Sequence, residues 1–174
     1  MTFDVPAKDL KAAKSAHELF MVNLGALLLL GPMSIFMGVG RVGIVIPMLV
    51  SVLFLLYTFN RSRRLADEGP WFVAAHWRLA LHNYRWLFIG FALTIVFLLI
   101  SWALESSIDP HSPNHFVAVA LTRIGVMPTL IMIFASFVIG NGGLNQVLRH
   151  EVPDKLIEAF PPPASVTVKG VKVT

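Results

Sequence analysis

Histidines and arginines are the residues of this chain with the widest chemical reach. Four of the six histidines, His17, His76, His82 and His150, fall on polar stretches beside apolar runs. Imidazole can ligate metals, relay protons or simply hydrogen-bond. His76 and His82 stand six residues apart on one helical stretch. Six residues turn a helix by about 600°, so the two rings point about 120° apart in projection. They cannot grip one ion as an i, i+4 pair would. Hydrogen-bonded interfacial histidines are the expected role, with a shared metal or proton site as the rival. A transmembrane b-haem needs axial histidines within facing helices. None of the apolar runs holds one, so haem is disfavoured and no cofactor is predicted.

A second group is Glu105, Asp109, His111 and His115. Carboxylates and imidazoles suit zinc or another divalent ion. Pro110 and Pro113 break any regular spacing among them, so the group is a weak metal candidate beside the plainer reading of a solvated loop. Arg123 lies about two turns inside an apolar run. A charge within a membrane span is a functional hypothesis in its own right. The competing account is that its long side chain snorkels to phosphate or pairs with Glu105. Around Trp71, Trp77, Tyr84 and Trp86 lie His76, Arg78, His82 and Arg85, with the two arginines four and three residues from His82. Aromatic and basic side chains beside an apolar run read as an interfacial anchor in contact with anionic lipid. A quinone or similar amphiphile in such a cleft is the alternative.

Several signatures are missing. The sequence contains no GxSxG, HExxH or GxxxxGK[ST]. The acids nearest the spans, Glu18 and Glu105, sit at helix ends. That argues against a proton-coupled transporter, which needs a titratable group along its path.

The elements that must position these residues are set by composition. The chain has 174 residues, 56% hydrophobic and 14% charged, with a mean hydropathy of +0.71. A water-soluble fold of this size cannot hide that much apolar surface. Lipid is the fitting solvent. There are no cysteines, which excludes disulfides, thiolate metal sites and a cysteine nucleophile. The net charge of +4 is read as the Lys/Arg excess of cytoplasmic loops rather than as a nucleic-acid surface.

Residues 1–18 are polar and helix-prone, with Lys8, Lys11 and Lys14 on one face. They do not read as a cleaved signal peptide. Apolar runs at about 19–39, 42–59, 87–104 and 116–139 are each long enough to cross a bilayer. Pro32 and Pro47 fall inside the first two and predict kinks. Asp67, Glu68, Gly69 and Pro70 predict the opening of a new helix. That helix runs unbroken over 70–104, so its first four turns extend outside the hydrocarbon core. Asn141, Gly142 and Gly143 predict the stop of the fourth span. The tail, 144–174, carries the stiff run Pro161–Pro163 and ends in a β-like alternation of valines with polar residues. With Gly170 shifting its phase, this strand is expected to stand away from the bundle and to be either disordered or docked on a partner's sheet edge.

Charge sets the expected orientation. Twelve of the fourteen Lys and Arg residues fall on the side of the two termini and the second loop. The other side has Arg41, and Arg123 lies within a span. The predicted protein is an all-α membrane protein of the bacterial inner membrane: a four-transmembrane-helix bundle with a long, cytoplasmically extended third helix, both termini cytoplasmic and a short tail of β-like pattern. The first functional expectation is a non-catalytic accessory or assembly subunit. The expected partners are the bilayer with its anionic headgroups and another membrane protein or a second copy, without nucleic acid. The alternatives are a small transporter or channel component with Arg123 as anion contact, and a membrane oxidoreductase subunit with a quinone or metal near the histidines.

Overall fold

A computed structural model describes residues 1–37, 42–107, 112 and 115–169. It opens with a two-residue strand, β1 (Thr2–Phe3), followed by α1 (Ala7–Phe36), α2 (Val42–Glu68) and α3 (Trp71–Ser107). Next come α4 (His115–Gly125), α5 (Met127–Leu148), α6 (Asp154–Ala159) and β2 (Val168–Lys169). Four stretches are long and apolar enough to cross a membrane: Ala7–Met33, Gly43–Glu68, Trp71–Ser107 and His115–Leu148. Wide apolar surface remains exposed along them, including Leu29, Leu53, Trp102, Phe134 and Val138. The protein is an all-α, four-span, multi-pass membrane protein. Lipid is the solvent that such surfaces require.

The third helix is the axis of the bundle. Its 37 residues span about 55 Å at 1.5 Å per residue, well beyond the ~30 Å hydrocarbon core. It packs against α1, α2, α4 and α5, while α1 also packs against α2 and α5. Small residues permit the closest approaches. A Cβ at Gly90 would meet Met132 at 2.8 Å, and one at Gly125 would meet Phe97 at 2.6 Å. The fourth span is two helices, α4 and α5, joined at Val126 with Pro128 in the first turn of α5. Proline lacks the N–H that would continue the ladder, and it is tolerated at a helix start.

Two expectations about boundaries are corrected. The second helix does not end near residue 59 but continues to Glu68, so Asp67 and Glu68 close α2 rather than open α3. The extra turns are held by packing, since Leu65 lies against the cluster of Ala16, Val73, Trp77 and Ala80. Only Gly69 and Pro70 separate α2 from α3. The fourth span does not stop at Asn141–Gly143, because α5 runs through to Leu148. Glycine lowers helix propensity, but here it lets a neighbouring side chain approach. The polar opening segment is helical, as its composition suggests: α1 begins at Ala7 and runs straight into the membrane span.

The end of the bundle that carries both termini is closed by a protein core. Phe3, Val5, Ala13, Trp71, Phe72, Ala75, Val147 and Val152 form its buried cluster, with Leu156, Ile157, Phe160 and Val168 packed against it. All residues from Trp71 to Trp77 are buried. The first two turns of α3 are therefore buried in the cap rather than amphipathic, while His82, Arg85 and Trp86 further along are exposed. The tail is also corrected. Instead of standing away, β2 pairs antiparallel with β1, placing Thr2 opposite Lys169 and Phe3 opposite Val168. Asp4 N–H donates to the Thr167 carbonyl at 3.1 Å, and Trp71 Nε1–H donates to the Phe160 carbonyl at 3.1 Å. The stiff prolines follow Phe160, which stacks on Trp71, and the chain then turns where the Val166 N–H donates to the Pro163 carbonyl at 3.0 Å. Val171 and Val173 lie outside the described residues.

Candidate functional site

Where α1 leaves the terminal cap for the span, it carries His17. In the buried opening turns of α3 lies His76. The two rings meet edge to face, with His17 Nε2 3.1 Å from His76 Nδ1. Both are buried, at 0% and 1% exposure, where a polar ring needs a hydrogen-bond partner. Helix α5 makes room for the pair: a Cβ on Gly143 would collide with the His17 ring. Phe72 covers the other side, its ring 4.6 Å from that of His76.

The pair has a definite electrostatic character. A hydrogen bond between two imidazoles needs one N–H and one bare nitrogen. Two imidazolium rings would face N–H to N–H, so this arrangement holds at most one positive charge. His17 Nδ1 and His76 Nε2, the outer nitrogens, are buried without a hydrogen-bond partner, although the Glu151 backbone lies beside His76. The two facing nitrogens are spaced close to the ~3.3 Å that two ligands of a tetrahedral ion would show at a metal–nitrogen distance of ~2.0–2.1 Å. Among the described residues, no three of His, Cys, Asp and Glu converge as metal ligands.

The other sequence candidates are dispersed. His82 and Arg85 are exposed on α3, with the Arg85 guanidinium over Trp86 at 5.0 Å. Arg78 is half-buried, with its guanidinium over the Phe160 ring at 3.7 Å. His150, just past α5, has φ of 59° and accepts the Phe3 N–H through its carbonyl at 2.9 Å. A left-handed residue after a helix is a common stop, though glycine is more usual there. Arg123 is exposed in the last turn of α4, on the outside of the bundle. Glu105 and His115 are half-buried at the far end, and Asp109 and His111 lie outside the described residues.

Sequence reasoning missed two sets of residues. The first is the polar set inside the spans. Asn23 Nδ2 donates to Ser51 Oγ at 2.9 Å, joining α1 to α2. Thr94 and Thr129 hydroxyls meet at 2.8 Å, joining α3 to α5. Ser101 donates to the Ala118 carbonyl at 2.7 Å and also meets Thr122, joining α3 to α4. The second is Arg63, which lies over Phe59 at 4.2 Å and shares with Arg78 a cleft of about 430 Å³ between α2 and α3. In sequence Arg61, Arg63 and Arg64 form a basic cluster, but nothing there shows which of them shares a cleft with Arg78.

Fold and site together define a polytopic membrane protein whose spans are cross-linked by hydrogen bonds and whose terminal cap encloses a histidine pair. Known protein families, curated proteins and solved structures contain no match to this chain.

Proposed function

We propose that this protein is a non-catalytic accessory or assembly subunit of a bacterial inner-membrane complex, with both termini in the cytoplasm. One observation carries the reading: an apolar notch of about 140 Å³ opens between α1, α2 and α5. Leu28, Gly31, Pro32, Pro47, Met48 and Leu130 are among its lining residues. A Cβ placed at Gly31 would meet nothing within 4 Å. Transmembrane helices associate where small residues let their backbones approach, and an apolar notch beside such a residue suits a partner's helix. The hydrogen bonds that tie the spans together further favour a static scaffold over a moving transporter. Orientation rests on the twelve-to-one asymmetry of Lys and Arg.

The test is recovery of partners after extraction in mild detergent, read by mass spectrometry, for the natural chain and for Gly31→Leu. A stoichiometric membrane partner that is lost on filling the notch supports the reading. Equal recovery from both chains rejects the notch as its seat. A second copy recovered in the same way would make the partner homomeric.

A second reading treats the protein as an oxidoreductase subunit with a metal near the histidines. It is favoured by the convergence of His17 and His76 at 3.1 Å. Stoichiometric zinc or copper in the purified protein, lost in His76→Ala, would move the assignment to this reading.

A further inference from the structure

We propose that the cleft between α2 and α3 binds the phosphodiester headgroup of an anionic phospholipid between Arg63 and Arg78.

The helices run antiparallel, so the cleft has an inner and an outer end. Phe59, the last residue of the apolar run of α2, and Leu81, one turn closer to the membrane than Arg78, line its inner end. Arg63 stands about one turn, or ~6 Å, above Phe59, at the depth of a headgroup layer. Asp67 lies one turn further out. An adjoining hollow, which shares Ala66, continues past Trp71 to Phe160 and Pro161 of the tail. An acyl chain entering beside Phe59 and Leu81 would therefore bring its phosphate level with two guanidinium groups from two helices.

Both arginines are available. Each lies over an aromatic face, Phe59 for Arg63 and Phe160 for Arg78, which orients the cation and leaves its N–H edge for an acceptor. The ion pairs among the described residues are Met1–Asp154 and Lys14–Glu18, and neither involves these arginines. Asp67 lines the same cleft without bridging either one. The surrounding field is positive. Arg61, Arg64 and Arg85 stand nearby on the same two helices, against the carboxylates of Asp67 and Glu68. Guanidinium groups suit phosphate because their forked N–H donors match its oxygens, and basic pockets between spans are the usual seats of anionic headgroups. Asp67 at the outer rim can accept a hydrogen bond from a hydroxyl of a glycerol headgroup, which favours a hydroxylated anionic lipid over a bare one.

The experiment uses the full chain in dodecyl maltoside supplemented with phosphatidylglycerol, with phosphatidylcholine or with inorganic phosphate. Bound lipid is counted by native mass spectrometry, and the unfolding temperature is read in parallel. The expected result is retention of phosphatidylglycerol over phosphatidylcholine, with a matching rise in unfolding temperature. Removing one charge-assisted contact should weaken retention roughly tenfold in Arg63→Gln and again in the Arg63→Gln, Arg78→Gln double variant. Arg64→Gln, an exposed arginine that does not line the cleft, should leave it unchanged. Arg63→Gln acts on an exposed side chain, so folding is preserved even if Arg78→Gln disturbs the Phe160 contact. Equal losses in Arg63→Gln and Arg64→Gln would reduce the effect to diffuse charge and overturn the site. Equal stabilisation by inorganic phosphate in the absence of phosphatidylglycerol would overturn the lipid assignment.

Discussion

His17 and His76, 59 positions apart, share one hydrogen bond, and Gly143 of a third helix lies against the back of the His17 ring. This contact ties α1, α3 and α5 together at the level where the bundle meets its terminal cap. Removing one ring leaves the other with its inner nitrogen buried and unpaired, at a cost of about 1–3 kcal/mol. Removing both leaves a hole but no new orphan at that point. His17→Ala and His76→Ala should each lower the unfolding temperature in detergent, and the double variant should lose less than the two losses combined. The expected coupling is about 0.5–3 kcal/mol. Strict additivity would show that the two rings act independently.

Gly143→Ala tests the same contact from the opposite helix. On an open helix face alanine would stabilise, by about 1 kcal/mol relative to glycine. Here its methyl group would enter the His17 ring, and overpacking of this kind costs about 1–3 kcal/mol. The variant should unfold at a lower temperature than the natural chain. Gly142→Ala, one position away where a Cβ meets nothing within 4 Å, should be neutral or stabilising. The same direction of change in both would remove the close approach as the explanation.

The contrast between neighbouring glycines also shows where the sequence is legible. Span length and apolarity are local properties, so the third helix could be read as 70–104 against an observed Trp71–Ser107. The approach of His17 to Gly143 is not local. In sequence Asn141–Gly143 looks like a helix stop, because low propensity and close packing have the same composition. Burial of Trp71–Trp77 was hidden for a related reason. Tryptophans beside a histidine look interfacial unless it is known that Phe3, Val147 and Val152 pack with Trp71, Phe72 and Ala75. Asp67 and Glu68 carry the same ambiguity, since acids flank a helix break from either side and only the packing of Leu65 extends the earlier helix. Inter-helix pairs such as Thr94 with Thr129 give no sequence signal beyond being hydroxyls in an apolar run.

Orientation is open to direct labelling, helped by a chain with no cysteines. Ser107 lies at the end of α3 and Ser165 in the tail, at opposite ends of the bundle, and both are exposed. With the termini in the cytoplasm, Ser107→Cys should react with an impermeant maleimide in sealed spheroplasts. Ser165→Cys should react only after permeabilisation. The reverse pattern would place the termini outside.

Arg123 sits on the outer face of α4, where its side chain can extend along the helix towards headgroups. Lysine can do the same. Arg123→Lys should therefore match the natural chain in expression, unfolding temperature and partner recovery. Arg123→Leu should shift the unfolding temperature only slightly, because the side chain is exposed on the outside of the bundle. A selective loss in Arg123→Lys would instead point to planar, two-pronged recognition of an anion, which lysine cannot reproduce.

The pairing of Thr2 with Lys169 turns the two ends of the chain into one small sheet. Two short strands alone are marginal in water. This pair survives because Phe3 and Val168 pack with the cap, and because the charged N-terminus donates to the Val152 carbonyl and Asp154, each at 3.3 Å. Residues directly opposite in an antiparallel pair have Cα atoms about 4.5–5.5 Å apart, within disulfide range. A Thr2→Cys, Lys169→Cys chain should form an intramolecular disulfide on mild oxidation, seen as a mobility shift that reductant reverses. Thr2→Cys paired with Ser107→Cys, at the far end of the bundle, should not. Deleting residues 164–174 should lower the unfolding temperature and red-shift the tryptophan fluorescence, because Val166 and Val168 leave the cluster that holds Trp71. A tail that stays reduced in the first chain, and whose deletion leaves both readings unchanged, would mean that the strand is not held against the N-terminus in the membrane.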